Sequence, residues 1–507
     1  MATAIGAQAL TVAELLRKQA VIRAGSTALE DAQGTLTYRE LNDCVNQLAQ
    51  ALLLRGIDPG DRVAILSENR REYILLQLAA AKIGVIVACL NWRLADAEMG
   101  HCLRLVSPRM VLVSARYAQV LARLEHGVAD VVEIDGQFGA LLAGAPAHDP
   151  VCEVDPEQGL VILYTSGTTG LPKGAVISQR AMVARAMCIA ADFGISAEHS
   201  YVAWSPLFHM AATDFSLATL MIGGKVVVHD GLDVDRLCAT VERENIGWLV
   251  AMPGMIDLLI DGLRRNATRP RGVRVVGAMA DLVPLQQIAD LTGLLNAPYV
   301  NSFGATETGL APASGGLLAP GLLPTSLAKR ESAFCRMRLV DADDRDVPDG
   351  TPGEAALRGP TLFSGYWNAP EVNAHDFRGG WFHMGDLFVR RADGTLDFVD
   401  RAKYLIKSGG ENIYPAEIER VLLAEPRVAD AVVVRRADPK WGEVPVAFVV
   451  RRDASLDADA LLALCRQHIA GYKVPREIRF VPESELPRST TGKIMRHELE
   501  QRLPPVA

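Results

Sequence analysis

The sequence lacks the features that would place it in a membrane, in an oxidising compartment or on nucleic acid. Its most apolar window, residues 75–90, is interrupted by Lys82 and is shorter than the roughly 20 apolar residues of a membrane span. Its eight cysteines form no CxxC pair and no metal-like spacing, and no basic and apolar leader is visible. A formal charge of −8 argues against a nucleic-acid partner. We therefore expect a cytoplasmic protein with free thiols.

The order of helical and strand patterns predicts an α/β fold. At 507 residues the chain is too long for one hydrophobic core, so we expect at least two domains. TYRELNDCVNQLAQALLLRG (37–56) has helical spacing, and DRVAILS next to it has the pattern of a strand. Repeated alternation of this kind predicts parallel sheets covered by helices. Short alternating segments after residue 335 predict a small antiparallel β region, and we place a domain boundary at DRAK, residues 400–403.

One segment is unusually rich in hydroxyl groups and glycine. YTSGTTGLPKGAVIS (164–178) holds six hydroxyl-bearing side chains and three glycines around Lys173. We expect it to follow a strand and precede a helix, the usual position of a phosphate cradle. It is not a Walker loop, because Gly174 and not Ser or Thr follows the lysine, and it contains no GxGxxG. An ordinary polar turn would explain one or two of these glycines but not the whole segment.

This segment resembles the signature of the acyl-adenylate-forming enzymes, which comprise acyl-CoA synthetases, peptide-synthetase adenylation domains and luciferases. The resemblance covers nearly the whole chain, because four later segments resemble family motifs in the same order. These are NSFGATETG (301–309), GWFHMGDL (380–387), DFVDRAKYLIKSGGENIYPAEIE (397–419) and PRSTTGKI (487–494). It implies a large N-terminal domain (1–400) of two parallel helix-covered sheets plus a small distorted β-barrel, a hinge (401–403) and a small mobile α+β C-terminal domain (404–507).

The resemblance also implies a site for ATP and Mg²⁺. The glycine loop would hold the β- and γ-phosphates, Thr306 would contact the α-phosphate, and Glu307 would bind Mg²⁺. Phe303 would offer a ring face to adenine, and Asp386 would accept the ribose hydroxyls with help from Arg401. The implied ATP-binding residues are Thr165, Ser166, Gly167, Thr168, Thr169, Gly170, Lys173, Gly277, Ala278, Phe303, Gly304, Ala305, Asp386 and Arg401.

The C-terminal motifs resemble those of an enzyme whose last domain takes two orientations. Lys493 would bridge the substrate carboxylate and the α-phosphate, and Lys403 would occupy the hinge, although a salt-bridging surface lysine is the alternative. His209 would gate the acyl pocket, with a satisfied core histidine as the alternative. The implied contacts of coenzyme A are Ser408, Gly409, Gly410, Lys440, Trp441, Lys473 and Arg476.

Three segments depart from the family pattern and leave the substrate in doubt. GAMADLVP (277–284) stands where many relatives have Gly-Gly-Ala-Pro, Met384 replaces a common threonine, and TSLAKR (325–330) replaces a glycine-rich turn. VAMPGMIDLLIDG (250–262) offers no buried cation for a second carboxylate, so we expect a monocarboxylic acid, fatty or aromatic. We therefore predict an AMP-forming acid–thiol ligase.

Three alternatives stay open beside that prediction. The first is a stand-alone adenylation enzyme that loads a carrier protein; only fourteen residues follow Lys493, so we expect no fused carrier domain. The second is an oxidative, luciferase-like enzyme, and the third is a non-catalytic relative, against which the intact motifs argue. Whether the chain forms a homo-oligomer is not legible in the sequence.

Overall fold

The computed structural model describes residues 10–165, 171–252, 254–281, 283–409, 411–488 and 494–503. Within those residues no helix combines the length and the apolar character that crossing a bilayer requires. All eight cysteines are free. The described residues form four β-sheets, and helices pack between and around the first two of them.

The two large sheets occupy the first 301 residues. Their strands are β1 (Thr27–Asp31), β2 (Gly34–Thr37), β3 (Arg62–Leu66), β4 (Ile86–Cys89), β5 (Met110–Val113), β6 (Asp130–Glu133), β7 (Gly159–Thr165), β8 (Lys173–Ser178), β9 (Ser200–Ala203), β10 (Lys225–Val228), β11 (Asn245–Val250), β12 (Gly272–Ala278) and β13 (Tyr299–Asn301). One sheet has the order β13-β12-β11-β9-β10-β1-β2 and the other β6-β5-β3-β4-β7-β8. Neighbouring strands are parallel except for the edge pairs β1–β2 and β7–β8. The prediction of two parallel sheets is confirmed.

Helices cover both of these sheets. They are α1 (Val12–Ile22), α2 (Tyr38–Leu54), α3 (Arg71–Ile83), α4 (Asp96–Val106), α5 (Ala115–Ala122), α6 (Ile134–Ala143), α7 (Gln179–Phe193), α8 (Met210–Ile222), α9 (Val234–Arg243), α10 (Ile256–Arg265) and α11 (Leu285–Leu295). Local signals set their ends. Helix α2 begins at a capping box, in which the Thr37 hydroxyl accepts from the Glu40 amide and the Glu40 carboxylate accepts from the Thr37 amide. Gly56, at φ 70°, follows its last turn.

Two smaller sheets make up the remainder. The strands β14 (Arg336–Val340), β15 (Pro352–Arg358), β16 (Phe382–Arg390) and β17 (Leu396–Arg401) form an antiparallel sheet in that order, where a small distorted barrel was predicted. The last sheet has the order β19-β18-β21-β20, with β22 parallel to β21. Its strands are β18 (Ile406–Ser408), β19 (Glu411–Ile413), β20 (Val428–Asp438), β21 (Gly442–Arg451) and β22 (Glu477–Phe480).

Short helices accompany these two sheets. The α-helices are α12 (Pro370–Asp376), α13 (Pro415–Leu423), α14 (Ala458–His468) and α15 (Arg496–Gln501), and single 3₁₀ turns occupy Arg378–Gly380, Ala402–Tyr404, Gly471–Lys473 and Glu483–Glu485. The described hydrophobic cores follow the same division. A large core runs from Val12 to Leu396, with a second core between Ala64 and Ile162 and a small cluster of Val340, Ala356 and Trp381, whereas two small cores lie between Ile406 and Leu503. The boundary and hinge at residues 400–403 stay a prediction.

One sequence-based expectation about the glycine loop is wrong. The loop connects β7 to β8, which pair antiparallel with Thr165 opposite Lys173, so a strand and not a helix follows it. Helix α7 begins only at Gln179, after β8. The alternation of polar and apolar residues in KGAVIS is only six residues long, too short to distinguish a strand from a continuation of the loop. Thr165 and Lys173 are therefore paired in one β-hairpin, and no helix N-terminus directly follows Lys173 to provide the expected phosphate cradle.

Candidate active site

The hairpin β7–β8 places Lys173 beside an aromatic ring. Residues 364–367 lie along the free edge of β8: the Val176 amide donates to the Gly365 carbonyl at 3.0 Å, and the Trp367 amide donates to the Gly174 carbonyl at 2.8 Å. As a result, the Lys173 ammonium lies 4.0 Å from the centroid of the Tyr366 ring, within the range of a cation–π contact. The lysine that ends the glycine-loop motif is thus held over one specific tyrosine.

The same tyrosine contacts the predicted magnesium residue. The Tyr366 hydroxyl donates to Glu307 Oε1 at 2.8 Å, and the Phe363 amide donates to the Glu307 carbonyl at 2.8 Å. Burial and the Glu307 charge raise the pKa of Tyr366 far above its usual range, so the hydroxyl keeps its proton and stays a donor. Sequence reasoning missed this residue. Its signal was the segment LFSGYWN, which was used only as a mark of similarity.

The segment from Phe303 to Gly309 is a tight turn built on glycine. A Cβ at Gly304 would lie 2.0 Å from the Gly309 carbonyl oxygen, so only glycine fits there. The Gly309 amide donates to the Ala305 carbonyl at 2.9 Å and closes the turn. Thr306 and Glu307 lie inside this turn and are half-buried. The backbone therefore fixes both residues before any ligand binds.

The predicted adenine pocket is more tightly packed than the sequence suggested. Phe303 is only 4% exposed, because its ring contacts those of Phe388 and Phe398 at centroid distances of 4.7 and 5.5 Å. Gly277 has a structural requirement of its own: a Cβ there would lie 2.2 Å from the Val300 carbonyl oxygen on the neighbouring strand. The next residue, Ala278, is half-buried, and its amide lies 3.3 Å from the Tyr299 hydroxyl.

The predicted ribose residue is buried and paired. Asp386 and Arg401 face each other across β16 and β17, and Arg401 Nε donates to Asp386 Oδ1 at 3.1 Å. The Asp386 carboxylate raises the pKa of Arg401, and the charge of Glu307 acts in the same direction. Arg401 thus lies in the electrostatic field of both predicted ATP residues. Contacts therefore join Lys173, Tyr366 and Glu307 in one group and Arg401 and Asp386 in a second, and the charge of Glu307 acts on Arg401.

Two of the departures from the family pattern turn out to be partners. Lys329, in TSLAKR, donates to Asp281, in GAMADLVP, at 2.5 Å between Nζ and Oδ2. The lysine side chain is fully buried, and burial lowers its pKa. A buried cation is therefore present after all, although Asp281 compensates it. Nearby, Asn301 connects the same two segments by accepting from the Ala280 amide at 2.7 Å and donating to the Leu327 carbonyl at 2.8 Å.

His209 lies among aromatic residues at the start of α8. It is the N-cap of the helix, is half-buried, and its ring centroid lies 4.9 Å from that of Phe208. Phe208 contacts Trp92 edge-on at 5.7 Å, and Trp92 stacks on Tyr117 at 5.6 Å. This group of rings lies where the sequence placed the gate of the acyl pocket.

The C-terminal candidates gather around one exposed indole. The Gly409 amide donates to the Trp441 carbonyl at 2.7 Å, and Lys440 Nζ and Arg476 Cζ lie 4.8 and 6.0 Å from the Trp441 ring, which is 39% exposed. Ser408 is buried beside them and pairs with Gly442. Lys473 differs from this group, because it forms an ion pair with Glu417 at 2.8 Å.

The predicted hinge lysine is exposed to solvent. Lys403 Nζ lies 5.0 Å from the Tyr404 ring, and the structure gives it no carboxylate partner among the described residues. The salt-bridge alternative therefore gains no support. Several predicted site residues lie outside the described part of the chain, namely Ser166, Gly167, Thr168, Thr169, Gly170, Gly410 and Lys493.

Two family models match the chain and together cover most of it. The model of the AMP-binding enzyme matches residues 16–367, and that of the AMP-binding enzyme C-terminal domain matches residues 417–493. The chain belongs to the AMP-binding enzyme family. The predicted resemblance is thereby confirmed.

Relatives in this family match over nearly their whole length. The chain is 33% identical to indoleacetate–CoA ligase from Aromatoleum aromaticum, covering 97% of this chain and 98% of the relative. It is 33% identical to feruloyl-CoA synthase from Amycolatopsis sp, covering 94% and 96%. Among solved structures, o-succinylbenzoate CoA synthetase from Bacillus subtilis with its acyl-adenylate intermediate matches at a TM-score of 0.84 and 27% identity, covering 97% of this chain and 99% of the other.

These findings confirm the predicted fold class and the predicted enzyme class, an AMP-forming acid–thiol ligase. The predicted use of ATP, Mg²⁺ and coenzyme A is also supported. An o-succinylbenzoate CoA synthetase has been solved with ATP and magnesium, and the relatives are CoA ligases.

The residues of this AMP-binding enzyme fit a weakly held magnesium ion. Within the described ranges no group of three or more His, Cys, Asp or Glu side chains could hold a metal. Glu307 would offer one carboxylate and Thr306 one hydroxyl, both oxygen ligands of the kind that Mg²⁺ prefers. Mg²⁺ commonly binds through one or two carboxylates together with substrate phosphates and water. The donor set is therefore sufficient when a triphosphate is present.

Proposed function

We propose that this enzyme activates an aromatic monocarboxylic acid as its acyl-adenylate and transfers the acyl group to coenzyme A. In the first half-reaction a carboxylate oxygen attacks the α-phosphorus of ATP, and the bond to the pyrophosphate oxygen breaks. In the second, the coenzyme A sulfur attacks the acyl carbon, and AMP leaves with the bonding electrons. The products are an acyl-CoA thioester, AMP and pyrophosphate.

The observation that carries the proposal is the contact of Lys173 with Tyr366 and of Tyr366 with Glu307, together with the pairing of Asp386 with Arg401. The first set of contacts joins the glycine-loop hairpin to the Thr306–Glu307 turn, and the pair lies across β16 and β17. Lys173 and Arg401 supply positive charge for a triphosphate, while Asp386 supplies an acceptor for the ribose. When bound, Mg²⁺ adds charge neutralisation at the phosphate oxygens.

Positive charge is what the first half-reaction needs. The attacking carboxylate and the triphosphate are both anions, so their approach is unfavourable unless fixed cations compensate it. We assign Lys173 to the leaving pyrophosphate and Lys493 to the carboxylate and the α-phosphate. Because Tyr366 and Phe363 hold Glu307 in place, little reorganisation is needed when the nucleotide binds.

The second half-reaction is assigned to the exposed face around Trp441. An indole flanked by two cations, Lys440 and Arg476, suits the adenine ring and the phosphates of coenzyme A. Gly409 lies against the indole, where a side chain would collide with it. We propose that rotation at Lys403 brings this face to the acyl-adenylate. Lys473 is the weakest of the predicted contacts, because Glu417 already neutralises it.

Two observations favour an aromatic acid over a fatty acid. Phe208 contacts the predicted gate, His209, and Trp92 and Tyr117 extend this aromatic group, which suits a planar substrate. The relatives named for indoleacetate and ferulate are likewise named for aromatic monocarboxylates. The buried Lys329 does not argue for a dicarboxylate, because Asp281 already pairs with it.

We also propose that the eight free cysteines reflect a cytoplasmic location.

A pyrophosphate-release screen tests the proposal. Indoleacetate, ferulate, benzoate, octanoate, palmitate and o-succinylbenzoate would each be incubated with ATP and Mg²⁺, with and without coenzyme A. We expect acid-dependent pyrophosphate release to be greatest with an aromatic monocarboxylate and thioester to form only with coenzyme A. Preference for a straight-chain acid would refute the substrate class. Acyl-adenylate that accumulates despite coenzyme A would favour a carrier protein as acceptor.

A further inference from the structure

A buried arginine outside the predicted site contacts the backbone of the Thr306–Glu307 turn. Arg185, on α7, is 2% exposed and is among the largest fully buried side chains of the protein. Its Nη2 donates to the Thr306 carbonyl at 2.9 Å, and its Nε donates to the Thr361 carbonyl at 3.0 Å. Its side chain also packs against Gly309, where a Cβ would meet three of its atoms at 2.9 Å. The middle of the turn and its C-terminal end thus contact one side chain.

A single carboxylate orients this arginine. Asp214, on α8, is 2% exposed and lies 3.0 Å from Arg185 Nη1 through Oδ2 and 3.3 Å through Oδ1. Burial raises the pKa of Asp214 to about 6, so at neutral pH it is a carboxylate and the pair is uncharged overall. The guanidinium is planar and its donors have fixed directions. Because Nη1 is held by Asp214, Nε and Nη2 point at the carbonyls of Thr361 and Thr306.

Stability alone is a poor explanation of such a pair. Replacing a buried ion pair with apolar residues of similar volume is often neutral or stabilising, because desolvation offsets the attraction between the charges. What an apolar pair would lack is the ability to donate to the Thr306 and Thr361 carbonyls. The distinctive effect of Arg185 is therefore to fix where the turn lies.

We propose that Arg185, oriented by Asp214, is a positioning residue that sets the Thr306–Glu307 turn for MgATP. The inference rests on the proposed function, in which this turn meets the α-phosphate and Mg²⁺. It assigns Arg185 no contact with the nucleotide. Its effect is transmitted through the Thr306 carbonyl and through the packing of its side chain against Gly309.

Binding of ATP with Mg²⁺ in the absence of acid, measured by calorimetry, tests the proposal without turnover. The variants are Arg185→Lys, which keeps the charge but loses the fork, and Asp214→Asn, which keeps the shape but loses the charge. We expect Arg185→Lys to weaken MgATP binding about tenfold or more and Asp214→Asn to weaken it less. The KM for the acid should change by less than about twofold, because α8 and the aromatic group stay in place.

Lys82→Met is the matched control. Lys82 is also fully buried and ion-paired, with Asp149 at 2.9 Å, but none of its hydrogen-bond partners belongs to the predicted site. We expect this variant to lower the melting temperature while leaving MgATP affinity unchanged. If Arg185→Lys lowers only the melting temperature, as Lys82→Met does, Arg185 is structural and the proposal is wrong.

The outcomes separate this inference from the proposed function. Should the wild-type protein bind no MgATP, the proposed function fails. Should it bind MgATP and both Arg185→Lys and Asp214→Asn bind equally well, only the positioning role fails. If Arg185→Lys does not fold, Asp214→Asn decides by the same criterion, since its side chain occupies the same volume.

Discussion

The two parts of the predicted site differ in how firmly their side chains are held. In the part built by residues 164–401, Glu307 and Asp386 each accept a hydrogen bond from a neighbouring side chain, and Lys173 lies over a tyrosine ring. In the part built by residues 403–493, Lys403, Lys440 and Arg476 are exposed and pair mainly with rings. The first arrangement suits a preformed binding site, and the second suits groups that meet their ligand only after a domain has moved.

The cores show the same contrast. The first part of the site rests on a large core and on a second core between Ala64 and Ile162, whereas the second part rests on two small cores that share no residue with either among the described positions. Side chains that rest on a large core are hard to displace, because the core is close-packed and a shift of one residue would force its neighbours to move. We therefore expect changes in the first part to affect nucleotide binding and changes in the second to affect single half-reactions. Four substitutions test this difference.

The largest effect is expected at Lys493. Lys493→Ala should reduce acid-dependent ATP–pyrophosphate exchange ~10²–10³-fold or more, because a cation that compensates the approaching anions is lost. Conversion of a supplied acyl-adenylate to thioester should continue, since the carboxylate has already been activated. Exchange and single-turnover thioester formation would be measured on the same preparation. Equal loss in both assays would show that the two parts of the site do not divide the labour in this way.

The second effect concerns stability within the preformed part. Asp281→Leu leaves the Lys329 ammonium buried without its carboxylate, which should lower the free energy of unfolding by about 3–5 kcal/mol. The double variant Asp281→Leu, Lys329→Met should recover most of that loss, because neither charge is then buried. Urea denaturation measures both. A double variant as unstable as the single one would mean that these residues have separate roles and are not simply compensating partners.

Only those site residues that lie in contiguous motifs could be predicted from the sequence. Glu307, Asp386 and Arg401 were identifiable because each lies in a contiguous motif, and the structure pairs Asp386 with Arg401. Tyr366 and Arg185 were not, because their roles depend on contacts across 59 and 121 positions in the chain. The pairing of Asp281 with Lys329 could not be predicted for the same reason, although both residues lie in segments that depart from the family pattern. Strand β8 was missed because six residues of alternation after a glycine loop resemble the loop itself.

The third substitution acts only on the exposed part. Gly409 has φ 59°, and a Cβ there would lie 2.7 Å from Trp441 Cε3, so Gly409→Val must displace the indole. We expect ATP–pyrophosphate exchange to persist and thioester formation to fall roughly 10- to 10²-fold, the cost of misplacing a reactant by about 1 Å. Gly394→Val is the control, because φ is 80° there and nothing lies within 4 Å. If the control slows thioester formation equally, backbone strain and not the indole is responsible.

The smallest effect is expected at Tyr366, whose ring lies under Lys173 and whose hydroxyl donates to Glu307. Tyr366→Phe keeps the ring under Lys173 but removes the donor to Glu307, worth about 0.5–1.5 kcal/mol for a typical hydrogen bond. The Mg²⁺ concentration for half-maximal exchange should therefore rise by no more than about tenfold, with the KM for the acid unchanged. Tyr164→Phe is the matched control, since its hydroxyl donates to the Cys102 carbonyl beside the same hairpin. A fall in the Mg²⁺ requirement of Tyr366→Phe would contradict the prediction, because it would mean that the hydroxyl competes with the metal for Glu307 and does not orient it.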